Sequence, residues 1–125
     1  GFEFKASVIT CDDDGEIVTI GFADEAESPC NYFIIEKSYE YDDQERSLGL
    51  DKIYLELNDQ SRSSYGGLKN ITITPAQLVF NLEDNAQSKL KIDGYLSIGL
   101  DVPLRQEQAE KIQKVKISEG VEVNF

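Results

Sequence analysis

The sequence predicts an α+β fold: a mostly antiparallel sheet of about six to eight strands with one C-terminal helix packed on a face. Three observations carry this. Short runs of alternating apolar and polar residues recur, each bounded by Asp-Gly, a proline or a polar cluster. The period changes once, after Val102, where Leu104, Gln108, Ile112 and Val115 fall on one side of a helix. No internal repeat, linker or low-complexity stretch interrupts the 125 residues, which suit a single domain over 1–125.

Phe2 to Thr10 alternates, with Phe2, Phe4, Ala6 and Val8 on one face, and reads as a strand. Asp12-Asp13-Asp14-Gly15 follows as a hairpin turn, because glycine takes the positive φ such turns require. Three aspartates also invite a calcium loop, but calcium ligands are spaced along a longer loop and adjacent side chains point apart. Glu16 to Ala23 is the second strand and Asp24 to Pro29 an acidic loop. Asn31 to Tyr41 is the longest strand candidate. Both its faces begin apolar, which places its first half centrally in the sheet. Asp42 to Leu50 reads as a loop or a single turn.

The stretch from Asp51 to Gly67 organises the chain. In its first half Ile53, Leu55 and Leu57 alternate with Tyr54, Glu56 and Asn58. Its second half, Asp59 to Gly67, has no aliphatic side chain and reads as a polar loop displayed by a buried strand. Its two glycines predict positive φ at Gly66 or Gly67. The same reading has Tyr65 packing inward, with Asp59 and Gln60 bonding backbone groups within the loop.

Leu68 to Thr74 and Gln77 to Leu82 flank Pro75 and form a hairpin, with Ile71, Ile73, Leu78, Phe80 and Leu82 inward. Glu83 to Lys91 fits either a short helix or a strand arm. Asp93-Gly94 turns the chain into a strand from Tyr95 to Val102. Asp101 can cap and Pro103 can open a helix to about Lys116, with Lys111, Lys114 and Lys116 towards its carboxyl end. Val121 to Phe125 is a final edge strand or a docked tail. The start at Gly1 fits a processed chain or a piece of a longer one.

Charge narrows the function. Acidic residues number 24 and basic ones 12, for a net charge of −12. Such a surface repels phosphate backbones, so neither nucleic acid nor an anionic membrane is expected as a ligand, and a cationic partner is favoured. Histidine is absent, which removes the usual neutral-pH base and the commonest metal ligand. Two cysteines are too few for a structural zinc site. In an up-down meander Cys11 and Cys30 would sit at opposite strand ends, too far apart for a disulfide, and two reduced thiols fit the cytoplasm. No serine has an activating partner, and carboxylate pairs such as Glu36 with Glu56 or Asp59 are expected by chance in so acidic a chain. No enzyme activity, metal or cofactor is therefore expected. Glu36, Glu40, Asp42, Asp43, Glu45 and Asp51 cluster instead, interleaved with Tyr39, Tyr41 and Tyr54. That is the composition of a protein-binding surface or of a solvated sheet face.

The runs N-Y-F-I-I-E-K-S from Asn31, Y-D-D-Q-E-R from Tyr41 and Y-L-E-L-N-D-Q-S-R-S-S-Y-G-G-L from Tyr54 carry a resemblance. The chain resembles the immunity proteins of bacterial polymorphic toxin systems, and among them the tenth catalogued family. The likeness covers Gly21 to Leu82 well and the ends loosely. It rests most on Asn58, Asp59, Gln60, Ser63, Tyr65, Gly66 and Gly67. The resemblance implies a cytoplasmic protein that binds and neutralises a cognate toxin domain, often a nuclease, without chemistry of its own. Partner contacts are then expected from Glu36, Glu40, Tyr41, Asp42, Asp43 and Glu45 at the end of the long strand. A second group is Asn58, Asp59, Gln60, Arg62, Ser63 and Tyr65, shaped by Gly66 and Gly67. The patch forms where the long strand ends and twists into the Asp42 loop.

Overall fold

The computed structural model describes residues 1–116 and 122–124. Among them are ten strands and three helices, and the strands divide into two five-stranded sheets. The first is ordered β1 (Phe2–Ala6), β9 (Tyr95–Leu100), β8 (Gln77–Leu82), β7 (Leu68–Thr74), β10 (Glu122–Asn124). The second is ordered β2 (Val8–Asp13), β3 (Ile17–Ala23), β4 (Tyr32–Ser38), β5 (Tyr54–Leu57), β6 (Asp59–Tyr65). The second sheet is antiparallel throughout; in the first, β1 runs parallel to β9 and β10 parallel to β7. The α+β class and the mainly antiparallel pairing stand, with the strands shared between two sheets rather than held in one.

The division begins at Ser7. The alternating run Phe2 to Thr10 is two strands, because the chain leaves one sheet for the other at this residue. Ser7 donates its amide to the Ala23 carbonyl and its hydroxyl to Asp101. The inward face changes phase there: Phe2, Phe4 and Ala6 pack on the core before the corner and Ile9 and Cys11 after it. Val8 therefore does not share their face, contrary to the sequence reading, because its even position points outward once the strand joins β3. The next turn is the expected hairpin, with Gly15 at φ +87°. Its aspartates serve the backbone: Asp13 accepts from the Gly15 amide, and Asp14 from the amides of Glu16 and Ile17. Strand β4 is central, as its two apolar faces required. Cys11 and Cys30 are free thiols.

Phe80 lies between the sheets. Its ring meets Phe22 at 6.0 Å and Phe33 at 5.0 Å, both on the second sheet. Ile20, Ile35, Leu55 and Leu57 from that sheet and Ile71, Leu78, Leu96 and Ile98 from the first complete one continuous core. The β7–β8 hairpin has the boundaries read from the sequence.

Helix α2 (Asp84–Leu90) settles the ambiguous stretch, because Ala86 and Leu90, four apart, are both fully buried. It packs on β6. Helix α3 (Gln106–Lys116) begins later than its sequence suggested. Asp101 does not cap it; that carboxylate pairs with Lys5 at 3.3 Å, while the Gln108 side chain accepts from the Arg105 amide at 2.9 Å. Gln108 and Ile112 are buried as expected. The side chains of Lys114, Val115 and Lys116, and Val121 and Phe125, lie outside the described residues.

Lys111 is not a solvated helix-end cation. It pairs with Asp13, whose Oδ2 also accepts from the Tyr39 hydroxyl at 2.7 Å. One carboxylate thus joins the first hairpin, α3 and the segment after β4. Lys111, then Tyr39 and the Gly15 amide, hold Asp13 well below the usual carboxylate range. A depressed carboxylate stabilises fully above its unfolded pKa, about 4, and loses that stabilisation as pH falls towards the folded value. We expect amide exchange in α3 to accelerate below about pH 4 relative to the core strands. In Asp13→Asn the acid-dependent part should vanish. Identical pH profiles for wild type and variant would refute the linkage.

Candidate partner-binding surface

The inward residues of β4 are Phe33 and Ile35, so Tyr32, Ile34, Glu36 and Ser38 face outward. Register then builds the outer face row by row. Glu36 lies opposite Tyr54, and Tyr54 opposite Tyr65; Ile34 lies opposite Glu56, and Glu56 opposite Ser63. Glu56 is only 8% exposed. Its carboxylate accepts the Tyr32 hydroxyl at 2.6 Å and the Tyr54 hydroxyl at 2.5 Å. Burial, then the Glu56 carboxylate, push Tyr54 up to about 12 and raise Tyr32 as well, so both donate as neutral hydroxyls. Glu56 thereby fixes the Tyr54 ring, which meets Tyr65 at 5.2 Å and 56°.

Tyr65 does not pack inward. Its neighbour Ser64 takes the inner face, 1% exposed, with its hydroxyl donated to the Gly66 carbonyl at 3.0 Å. Alternation then sends Tyr65 outward, where it is 42% exposed. The underlying correction is that Asp59 to Tyr65 is not a loop but β6, the edge strand of the second sheet. Its serines and charges read as loop chemistry, but an edge strand needs few aliphatics and is protected by charge. The glycines behave as expected, with Gly66 at φ +83° and Gly67 at φ +90°.

Between β4, β5, β6 and α1 (Asp43–Ser47) lies a cleft of about 290 Å³, lined by Glu36, Ser38, Tyr41, Glu45, Leu50, Lys52, Tyr54 and Tyr65. Its walls are tied down. The Tyr41 hydroxyl accepts from the Ser38 amide and donates to the Lys52 carbonyl, and Lys37 sits 4.4 Å from the Tyr41 ring. Asp42 caps α1: its side chain accepts from the Glu45 amide at 2.7 Å while Glu45 Oε1 accepts from the Asp42 amide at 3.1 Å. Glu40 lines an adjacent cleft with Tyr39, Glu16 and Ile17. Asp43 is exposed beside Arg46 at 3.2 Å.

The structure therefore brings Glu36, Tyr41, Glu45 and Tyr65 together, with Glu40, Asp42 and Asp43 at their margin. It does not bring Asn58, Asp59 and Gln60 there, because β5 ends with them at the far end from Tyr65. Asn58 sits at φ +64°, its Oδ1 accepting from the Tyr32 amide and its Nδ2 donating to Asn31. Asp59 accepts from the Ser61 amide, which holds it below its ordinary range. Gln60 offers its backbone carbonyl to the Ser63 hydroxyl. Arg62 faces away from the cleft: Nε donates to the Leu90 carbonyl at 2.9 Å, at the C-terminal end of α2, and the guanidinium lies 5.9 Å from the Phe2 ring. These four residues shape the second sheet and its junction with α2. Sequence reasoning weighed Glu56 only as a chance carboxylate pair and did not connect it with Tyr32. The signal is the pair of tyrosines, since a buried glutamate needs partners and Tyr54 stands two residues away on the same face.

Residues 4–109 match the model of the family described as Immunity protein 10. The chain belongs to the immunity protein 10 family. No curated protein matches it. The matched span runs from β1 into α3, so every residue lining the cleft of this immunity protein lies inside it. Membership in such a family implies a toxin partner in general. Among the described residues, no helix is long and apolar enough to cross a membrane.

Proposed function

We propose that this immunity protein acts in the cytoplasm by binding a cognate toxin domain through the Glu36–Tyr54–Tyr65 end of the second sheet. It neutralises the toxin by covering a cationic surface, without catalysis of its own. One observation carries this reading: open tyrosine faces and carboxylates converge on a preformed cleft in a chain of net charge −12. Rigid aromatics supply contact area at little entropic cost, and surrounding acids steer a basic partner. A nuclease fits, because its active surface must attract phosphate and so attracts carboxylates too. Co-expression with the toxin domain encoded beside the gene tests the reading: growth should be rescued and the two proteins should co-purify. Toxicity unchanged by the folded protein would leave only a general acidic binding module.

Steering adds a kinetic expectation. Glu40 and Asp43 are exposed and hold no cap, whereas Asp42 must be left intact. Glu40→Lys with Asp43→Lys should leave folding nearly unchanged, since exposed charges contribute little to stability. The association rate at low salt should fall by about tenfold and its salt dependence should flatten. Stopped-flow kinetics identical to wild type would move the interface away from this end.

A further inference from the structure

We propose that the cleft receives one arginine side chain of the partner, its guanidinium stacked against Tyr65 and Tyr54 and bonded to the carboxylate of Glu36. This rests on the toxin-binding reading above and names the group that is recognised. Four features point to it. Glu36 is half-buried, yet among the described residues no hydrogen bond or ion pair reaches its carboxylate. A carboxylate that no protein group pairs is open to charge-assisted hydrogen bonds from an incoming cation.

Next to it stand the aromatic faces. The Glu36–Tyr54–Tyr65 row crosses three adjacent strands, so the carboxylate and both rings are neighbours on one surface. Tyr54 cannot swing away, because Glu56 holds its hydroxyl. Tyr65 keeps its ring open to solvent. A planar guanidinium stacks on such a ring and still presents paired N–H donors to a carboxylate. An ammonium is a point charge with neither the flat face to stack nor the fork of paired donors.

Charge balance is the third feature. Glu36 and Glu45 bring two carboxylates to the cleft, and Lys52 brings one ammonium on its exposed side. The lining side chains thus carry one net negative charge, with the Lys37 ammonium outside the lining against the Tyr41 ring. The last feature is preorganisation. Glu45 spends Oε1 on the helix cap, and the Tyr41 hydroxyl both accepts and donates, so little of the lining has to be ordered on binding.

The test uses capped tripeptides Gly-Arg-Gly, Gly-Lys-Gly and Gly-citrulline-Gly, titrated to about 20 mM against the whole protein, since a lone side chain binds only in the millimolar range. Resonances of Tyr54, Tyr65 and Glu36 are followed by NMR. The arginine peptide should shift them and bind at least about threefold more tightly than the lysine peptide. The citrulline peptide, which keeps the shape and loses the charge, should leave them unmoved. Glu36→Gln should weaken arginine binding by about fivefold or more, and Tyr65→Leu comparably. An arginine peptide that shifts nothing in the cleft, or no better than citrulline, overturns the proposal. The cognate toxin domain separates this failure from the broader one. Toxin bound equally well by wild type, Glu36→Gln and Tyr65→Leu refutes the arginine cleft and leaves toxin binding standing on another surface. Toxin ignored by the wild type refutes the toxin reading, while the peptide titration still decides the cleft.

Discussion

Gly67→Ala is expected to destabilise the protein by about 2–5 kcal/mol, the larger part from overlap with helix α2 rather than from backbone strain. Gly67 has φ +90°, where an L-residue costs about 1–2 kcal/mol. A Cβ there would overlap the Cβ of Ala86 and lie 3.2 Å from the Ala86 backbone nitrogen. The neighbour cannot easily yield, because Ala86 is fully buried and the Gly67 carbonyl accepts the Glu83 amide at 2.7 Å, where α2 begins. Gly49→Ala is the control. It has φ +73° with open space around it, so it should show the strain alone, about 1–2 kcal/mol. A partial rescue of Gly67→Ala by Ala86→Gly would identify the overlap directly, as a coupling between contacting residues. Urea midpoints decide: equal losses at Gly67 and Gly49 would mean that α2 moves freely and is not seated on β6. If α2 does move, Arg62 loses the Leu90 carbonyl and β6 shifts with Tyr65, so toxin affinity should fall with stability.

Most of the fold was legible where local pattern and tertiary setting agreed. The β7–β8 hairpin, the Gly15 turn and the central place of β4 follow from alternation, glycine and two apolar faces. The two sheets were not legible, because alternation says which face is buried and nothing about which sheet owns it. At Ser7 the inward face passes from Phe2, Phe4 and Ala6 to Ile9 and Cys11, a phase change hidden in the sequence because Val8 and Ile9 are both apolar. Both parallel pairs join strands distant in sequence. Strand β6 was misread because serine, arginine and aspartate serve an edge strand as well as a loop. For the site, the gathering of Glu36, Tyr41 and Glu45 could be placed from chain order, since β4 runs directly into α1. Tyr65 and Asn58 looked like one motif because they are close in sequence. Pairing β6 against β5 sends them to opposite ends of the strand. Helix α2 is what claims Arg62, and no short-range signal in the β6 sequence shows that contact.

The two sheets are also where the remaining large effect is expected. Phe80→Ala should cost about 3–5 kcal/mol, because it removes the side chain through which the first sheet meets Phe22 and Phe33 of the second. The loss has two parts, the transfer of a large apolar side chain and the void left between rigid strands. Phe80 is fully buried on β8, with β7 and β9 fixed on either side, so neighbours can close little of that void. Phe80→Leu keeps much of the volume and should cost clearly less, about 1–2 kcal/mol. Phe4→Ala tests position: Phe4 is half-buried on the edge strand β1, so its removal should cost less than half as much. None of these residues touches the cleft, which lies on the opposite face of the second sheet. At a temperature where Phe80→Ala remains folded, its toxin affinity should therefore equal that of the wild type, even though its unfolding midpoint is far lower. A Phe4→Ala cost as large as that of Phe80→Ala would show that the sheets are held at their edge. A folded Phe80→Ala that has lost toxin affinity would show that the outer face depends on the packing beneath it.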